Sequence, residues 1–309
     1  MFRFLIGRLL QGLLVLFALY TITFFLAKAM PGEPFTSEKN VSAETKANIR
    51  KLYGLDKPLW EQYYVYPKNI ITEGSFGVST SKGRPVWDII AQSFPNSLLL
   101  GLCALFFAVG IGVPIGVLSA VRRNSWVDWT CMAVAMVGIC VPSFTIGPLL
   151  QIYFAAHVPG LKVAGWGNPQ DVLLPAFTLG LVSAAYLARL TRGGILEVLS
   201  QDFVRTALAK GLSPSKVIIK HSLRGGLIPA VAYLGPAFAA LISGSFIVET
   251  IFQVPGMGQH FVNAATTRDE FLLLGVSLFF GFLIVVMNLL ADILTGLLDP
   301  RVRIAGQSD

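Results

Sequence analysis

The side chains able to ligate, attack or shuttle protons are scattered in this sequence. His157, His221 and His260 lie far apart with no H-x-x-x-H spacing, which excludes a zinc-binding helix of that type. Cys103, Cys131 and Cys140 sit inside apolar runs, odd in number and without C-x-x-C, and read as small buried hydrophobes. There is no Gly-Lys dipeptide and no G-x-S-x-G, so neither a Walker A phosphate loop nor a nucleophile elbow exists. No catalytic residue, metal or cofactor is expected on this chain. Three polar residues of the apolar stretches, Glu249, Asn288 and Asp292, could line a wet path through lipid. The alternative is that they bridge helices or bind a partner.

The elements that carry these residues follow from composition. Of 309 residues, 54% are hydrophobic and 13% charged, with mean hydropathy +0.67; soluble proteins carry nearer a quarter charged. One soluble core of this size cannot hide so much apolar surface, and the lipid bilayer is the expected solvent. Charge-free runs between Arg8 and Lys28, from Ile89 to Val121, Trp129 to Leu161, Val172 to Ala188, Gly225 to Val248 and Phe271 to Ala291 each suit a span of about 20 residues. They predict an all-α membrane protein with six helices at 9–30, 97–121, 129–155, 172–194, 228–251 and 272–298. The first run has 19 residues, longer than a signal-peptide core, so it is expected to be an uncleaved span.

Charge sets the orientation. Thirteen basic residues fall on one set of segments, from Arg3, Arg8, Arg122 and Arg123, through Arg189 to Arg224, to Arg301 and Arg303. The short loops opposite hold Lys162 and Arg268. Both termini are therefore expected in the cytoplasm, with 31–94 outside. The net charge of +7 is then a topology signal, and no nucleic-acid partner is expected. The expected organisation is 1–30 as the N-terminus and first span, 31–94 as an external segment, 95–298 as the core with a cytoplasmic loop at 197–224, and 299–309 as a tail. Within 31–94, Ser42 can cap one helix. Asp56 can cap a second, with Pro58 in its first turn and Pro67 ending or kinking it. Gly74, Gly77 and Gly83 mark a loop. This segment suits a solvated cap or a docking platform.

The cytoplasmic loop is the most informative stretch. Phe203, Ala207 and Leu208 share one helical face. Gly211 suits the left-handed residue that stops a helix, and Ser213-Pro214 starts the next. Helix, Gly turn, helix, exposed to the cytoplasm, suits insertion into a groove on another protein; the alternative is a basic helix lying on anionic lipid.

Arg205-Thr-Ala-Leu-Ala-Lys-Gly-Leu212, followed by His221-Ser-Leu223, resembles the EAA loop of ABC importer permeases in its peptide-permease form. Arg and Thr stand where the general pattern has Glu and Ala, and His221-Ser-Leu-Arg stands where it reads I-x-L-P. Pro31-Gly-Glu-Pro34, Pro142-Ser-Phe144, Gly244-Ser-Phe-Ile-Val-Glu-Thr250, Pro255-Gly-Met-Gly258 and Asp299-Pro300 recur in that branch in order. The whole chain resembles the OppB/DppB family, a branch of the binding-protein-dependent transport system inner membrane components. The resemblance implies a type I ABC importer permease fold with no ATPase site of its own. It also implies an OppC-like second permease, two OppD/OppF-like ATPases carrying ATP and Mg, and an OppA-like binding protein that delivers peptide. Phe203, Arg205, Thr206, Ala207, Leu208, Lys210, Gly211 and Leu212 would couple to the ATPases. A nickel, heme or glutathione permease of the same branch, a secondary transporter and a channel-like subunit are the other readings.

Overall fold

The computed structural model describes residues 2–30, 54, 56–155, 157–158, 162–243 and 246–298. The expected helix capped by Ser42, Pro31–Pro34, part of Gly244–Thr250 and the 299–309 tail lie outside them. Apart from an isolated bridge between Val78 and Pro85, the regular structure of the described residues is helical. The helices are α1 (Phe2–Ala29), α2 (Leu59–Glu73), α3 (Val86–Val121), α4 (Trp126–Cys140), α5 (Ser143–Leu150), α6 (Leu173–Leu199) and α7 (Asp202–Ala209). They continue as α8 (Pro214–Val217), α9 (Leu223–Gly226), α10 (Ile228–Ser243), α11 (Phe246–Phe252), α12 (Met257–Thr267) and α13 (Glu270–Leu298). Among the described residues, five segments are long and apolar enough to cross a membrane, and α4 with α5 makes a sixth if that bent pair is one span.

The chain divides into two compact units. One comprises Met1–Arg8, Asn96–Pro255 and Leu283–Asp309; the other comprises Leu9–Pro95 and Gly256–Phe282. The first unit is organised on α6. A Cβ on Gly112 would lie 2.3 Å from the Ala184 carbonyl oxygen, and one on Gly116 would lie 2.5 Å from that of Ala188. Gly180 approaches the Ala104 carbonyl in the same way, at 2.4 Å. Small residues four apart thus let the backbones of α3 and α6 touch, the usual way helices associate in lipid, where apolar burial drives little. Leu100, Leu174, Leu241, Val248 and Phe252 share one of its apolar clusters.

In the second unit, α2 packs on α1 through stacked Tyr20 and Tyr66, with ring centroids 5.9 Å apart, and Phe24 and Leu274 are buried with them. Lys28 of α1 pairs with Glu270. Asp269 is buried; it accepts from Ser81 N at 2.9 Å and Ser81 Oγ at 2.7 Å, and its other oxygen caps α13 at Leu272 N, 3.1 Å.

Several expected boundaries are corrected. The helix expected at 129–155 is broken by 103° between Cys140 and Ser143. Pro142 has no N–H to continue the ladder and holds Val141 extended at φ −85°, ψ 121°. The helix expected at 97–121 starts at Val86, with Asp88 in its first turn, where a charge suits the positive helix end. The helix expected at 228–251 is described as helical over Ile228–Ser243 and Phe246–Phe252. Pro58, rather than Asp56, occupies the N-cap of α2, and α2 runs through Pro67 to Glu73, ending at left-handed Gly74. Pro67 leaves the Tyr63 carbonyl without its helical donor, and the Tyr20 hydroxyl donates to that carbonyl at 2.6 Å. Gly74, Gly77 and Gly83 all have positive φ, as the expected loop requires. α12 was not anticipated.

Candidate functional site

The loop after α6 folds as helix, turn, helix. Val204 is 3% exposed and pegs α7 to the protein, whereas Phe203 and Leu208 are 46% and 44% exposed. Ala207 is half-buried, while Arg205, Thr206 and Lys210 are exposed. Phe203 and Leu208 therefore stand as apolar knobs with Ala207 beside them. Arg205 approaches Asp202 at 3.8 Å in an exposed pair, and Thr206 Oγ1 donates to the Asp202 carbonyl. Gly211 turns the chain with φ +85°. Its N–H donates to the Leu208 carbonyl at 2.9 Å, and Leu212 N donates to that of Ala207 at 3.3 Å. These bonds satisfy carbonyls that the end of α7 would leave open. The Ser213 carbonyl accepts from Val217 N at 3.1 Å as α8 begins. The chain then makes a π-helical turn over Ile218–Ser222 and reaches α9. There Gly226 meets Gly194 of α6 backbone to backbone.

A second feature lies next to this loop. Arg192, on α6, binds the Asp128 carboxylate with both arms, at 2.7 and 2.8 Å. Asp128 also accepts from the Ser119 hydroxyl and from Asn124 N. In the sequence Arg192 counts only as one of the basic residues between Arg189 and Arg224, and Asp128 is not singled out. The available signal was Ser125-x-x-Asp128, a helix-start pattern; Ser125 does cap α4.

The three polar path candidates occupy different places. Glu249 is buried on α11 and accepts from Ser97 Oγ of α3 at 2.8 Å. Asn288 is exposed on α13. Asp292, one turn further along α13, pairs with Arg8 at 2.9 Å. Gln151, also unnoticed in the sequence, donates to the Val163 and Ile251 carbonyls at 2.6 and 3.0 Å, holding the π-helical end of the bent segment. Outside the spans, Lys82 Nζ donates to His260 Nδ1 at 2.9 Å. Burial first, and the Lys82 charge second, push the His260 imidazole down to about 4. Burial and neighbouring Arg84 lower Lys82, against the pull of Asp269. Among the described residues, no group of three His, Cys, Asp or Glu could hold a metal ion.

Comparison with known proteins gives the setting. Residues 112–304 match the model for "binding-protein-dependent transport system inner membrane component", and residues 1–101 match its N-terminal companion. The oligopeptide transport system permease protein OppB of Haemophilus influenzae is 43% identical over 98% of this chain and 100% of its own length. The dipeptide transport system permease protein DppB of Bacillus subtilis is 40% identical over 98% of this chain and 99% of its own. Among solved structures, an inward-facing form of the MetNI methionine ABC transporter superposes with TM-score 0.56 at 19% identity, covering 68% of this chain and 96% of that one. The chain belongs to the binding-protein-dependent transport system inner membrane component family, in its OppB/DppB branch, and has the type I ABC importer permease fold.

Proposed function

We propose that this chain is one of two permease subunits of an ATP-driven peptide importer, with α7 as the element that engages a cytoplasmic ATPase. The observation that carries the coupling role is the geometry of the 202–212 loop. Phe203 and Leu208 point out of a helix that Val204 anchors, and the helix leads through Gly211 back to the Gly194–Gly226 contact. A push on α7 is thereby delivered to α6 and α10, consistent with a rigid-body switching mode. Full-length identity to oligopeptide and dipeptide permeases supports peptide as the cargo.

In this reading the chain hydrolyses no ATP itself. ATP and Mg act on two partner ATPases, a homologous second permease completes the path, and an extracytoplasmic binding protein delivers peptide to the 31–94 side. Both termini lie in the cytoplasm, as the basic residues of the short loops favour. The 95–298 segment forms the core, and Phe203, Arg205, Thr206, Ala207, Leu208, Lys210, Gly211 and Leu212 form the ATPase contact. Glu249, Asn288 and Asp292 are the polar candidates along the path. Co-purification with an ATPase, and ATP hydrolysis by the reconstituted complex with and without peptide-loaded binding protein, test the proposal. Peptide-stimulated hydrolysis with uptake is expected. Stimulation by a metal ion, heme or glutathione, and not by peptide, would reassign the cargo.

A further inference from the structure

The carboxylate of Asp128 is the meeting point of three elements besides its own. Ser119 reaches it from the end of α3, Asn124 N from the α3–α4 turn, and Arg192 from α6. The Asp128 side chain is 5% exposed. Arg192 holds it through Nε to one oxygen and Nη2 to the other. Such a fork fixes rotation as well as distance, unlike a single Lys–carboxylate contact. Arg192 lies two turns before Leu199, about 10 Å along α6 at 1.5 Å per residue, and α7 follows directly. The Gly194–Gly226 contact is two residues from Arg192. The strongest polar tie of the α3–α4 turn is thus made to the stretch of α6 that the coupling loop grips.

We propose that the Asp128–Arg192 pair is a positioning contact that joins the α3–α4 turn and the base of α6 into one moving body. Displacement of the coupling loop then reaches α3 and α4 as well as α6 and α10. The proposal rests on the coupling role assigned to α7 above. Buried ion pairs contribute little net stability compared with apolar packing. What this one imposes is a fixed geometry between segments 64 residues apart.

The test uses the complete complex of both permeases and both ATPases in nanodiscs, with spin labels at Arg123→Cys and Glu197→Cys, both exposed positions. A reference pair, Glu197→Cys with Leu290→Cys, reports whether ATP moves the base of α6 at all. In otherwise native protein, the 123–197 distance should stay the same with and without ATP while the reference pair shifts. With Asp128→Asn added, the 123–197 distance should change or broaden on ATP addition, and peptide transported per ATP should fall about tenfold, the size of a typical coupling between sites. Charge exchange, Asp128→Arg with Arg192→Asp, should restore both readouts in part. If Asp128→Asn does not assemble, Arg192→Lys, which keeps the charge and loses the fork, carries the same comparison. An ATP-dependent 123–197 distance in native protein overturns the proposal, as does an invariant one in the variant. A static reference pair would instead remove the coupling role of α7, and this proposal with it.

Discussion

Gly194 and Gly226 touch through their backbones: a Cβ on Gly194 would lie 2.2 Å from the Gly226 carbonyl oxygen, and one on Gly226 would lie 2.8 Å from Ile195 Cα. Neither clash is with a flexible side-chain tip, so the helices themselves must separate. Gly194→Ala is expected to lower stability by about 1–3 kcal/mol, as overpacking does, and to reduce peptide uptake at normal ATPase retention. Gly193→Ala is the control, since nothing lies within 4 Å of its added Cβ; it should be neutral or slightly stabilising. Thermal midpoints of the purified complex, with uptake in proteoliposomes, distinguish the two.

Gly211 is a different case. Its φ is +85° and the space around an added Cβ is open, so the strain of a substitution lies in the backbone. Gly211→Val should cost the turn about 1–2 kcal/mol and cut uptake, with the protein inserted and still paired with the second permease. Gly211→Asn should be much milder, because Asn adopts left-handed geometry more readily. Equal uptake in Val and Asn variants would remove the turn from the mechanism.

Neighbouring positions on α7 should separate binding from folding. Phe203→Asp changes an exposed side chain, so the permease should keep its thermal midpoint while ATPase co-purification drops. Val204→Asp buries a charge under the same helix and should destabilise the permease itself, on the order of 3 kcal/mol or more. Loss of ATPase binding with no thermal shift in both variants would mean that Val204 is not the anchor.

His260 predicts a pH dependence. Its folded-state value is about 4 against an ordinary 6.5. The unfolded chain therefore binds the proton more tightly between those values, and this contribution to stability is complete above pH 6.5 and is lost as pH falls toward 4. The NMR titration signal missing from a His260→Gln sample should remain neutral at pH 5. Lys82→Gln removes the second cause of the depression, so the same signal should titrate at higher pH and the acid loss of thermal stability should shrink.

Orientation is tested by cysteine accessibility in intact cells or spheroplasts. Glu73→Cys should react with an impermeant reagent from outside, and Lys216→Cys only after permeabilisation; both positions are exposed. Labelling of both from outside would overturn the inside-positive arrangement.

What could be read from the sequence tracks how local its cause is. Gly211 was legible because a left-handed turn is a one-residue requirement, and the knobs Phe203 and Leu208 were legible from helical spacing. Val204, between them, was not singled out, because spacing does not say which face of a short helix meets the protein. The bend at Pro142 had a local cause, but an unbroken apolar run concealed it. At Pro67 the helix does not end, and Tyr20, 43 residues before Tyr63, donates to the carbonyl that the proline leaves open. The fork between Asp128 and Arg192 spans 64 residues and depends on α4 and α6 packing side by side. Neither residue announces it alone.

The aromatic cluster of the second unit has a consequence for biosynthesis. Tyr20, Phe24 and Tyr66 are made early, whereas Phe271 and Leu274, which close the same cluster, are made about 200 residues later. At roughly 5–20 residues per second, that delay is on the order of tens of seconds. The ties between α1 and α2, from the Tyr20 hydroxyl to the Tyr63 carbonyl and from Lys28 to Gln62, need only residues made early. Only the Lys28–Glu270 ion pair and the Phe271 and Leu274 side of the aromatic cluster wait for the last helix. Truncation before Phe271 should leave a chain that inserts its first span normally and is then cleared by membrane quality control.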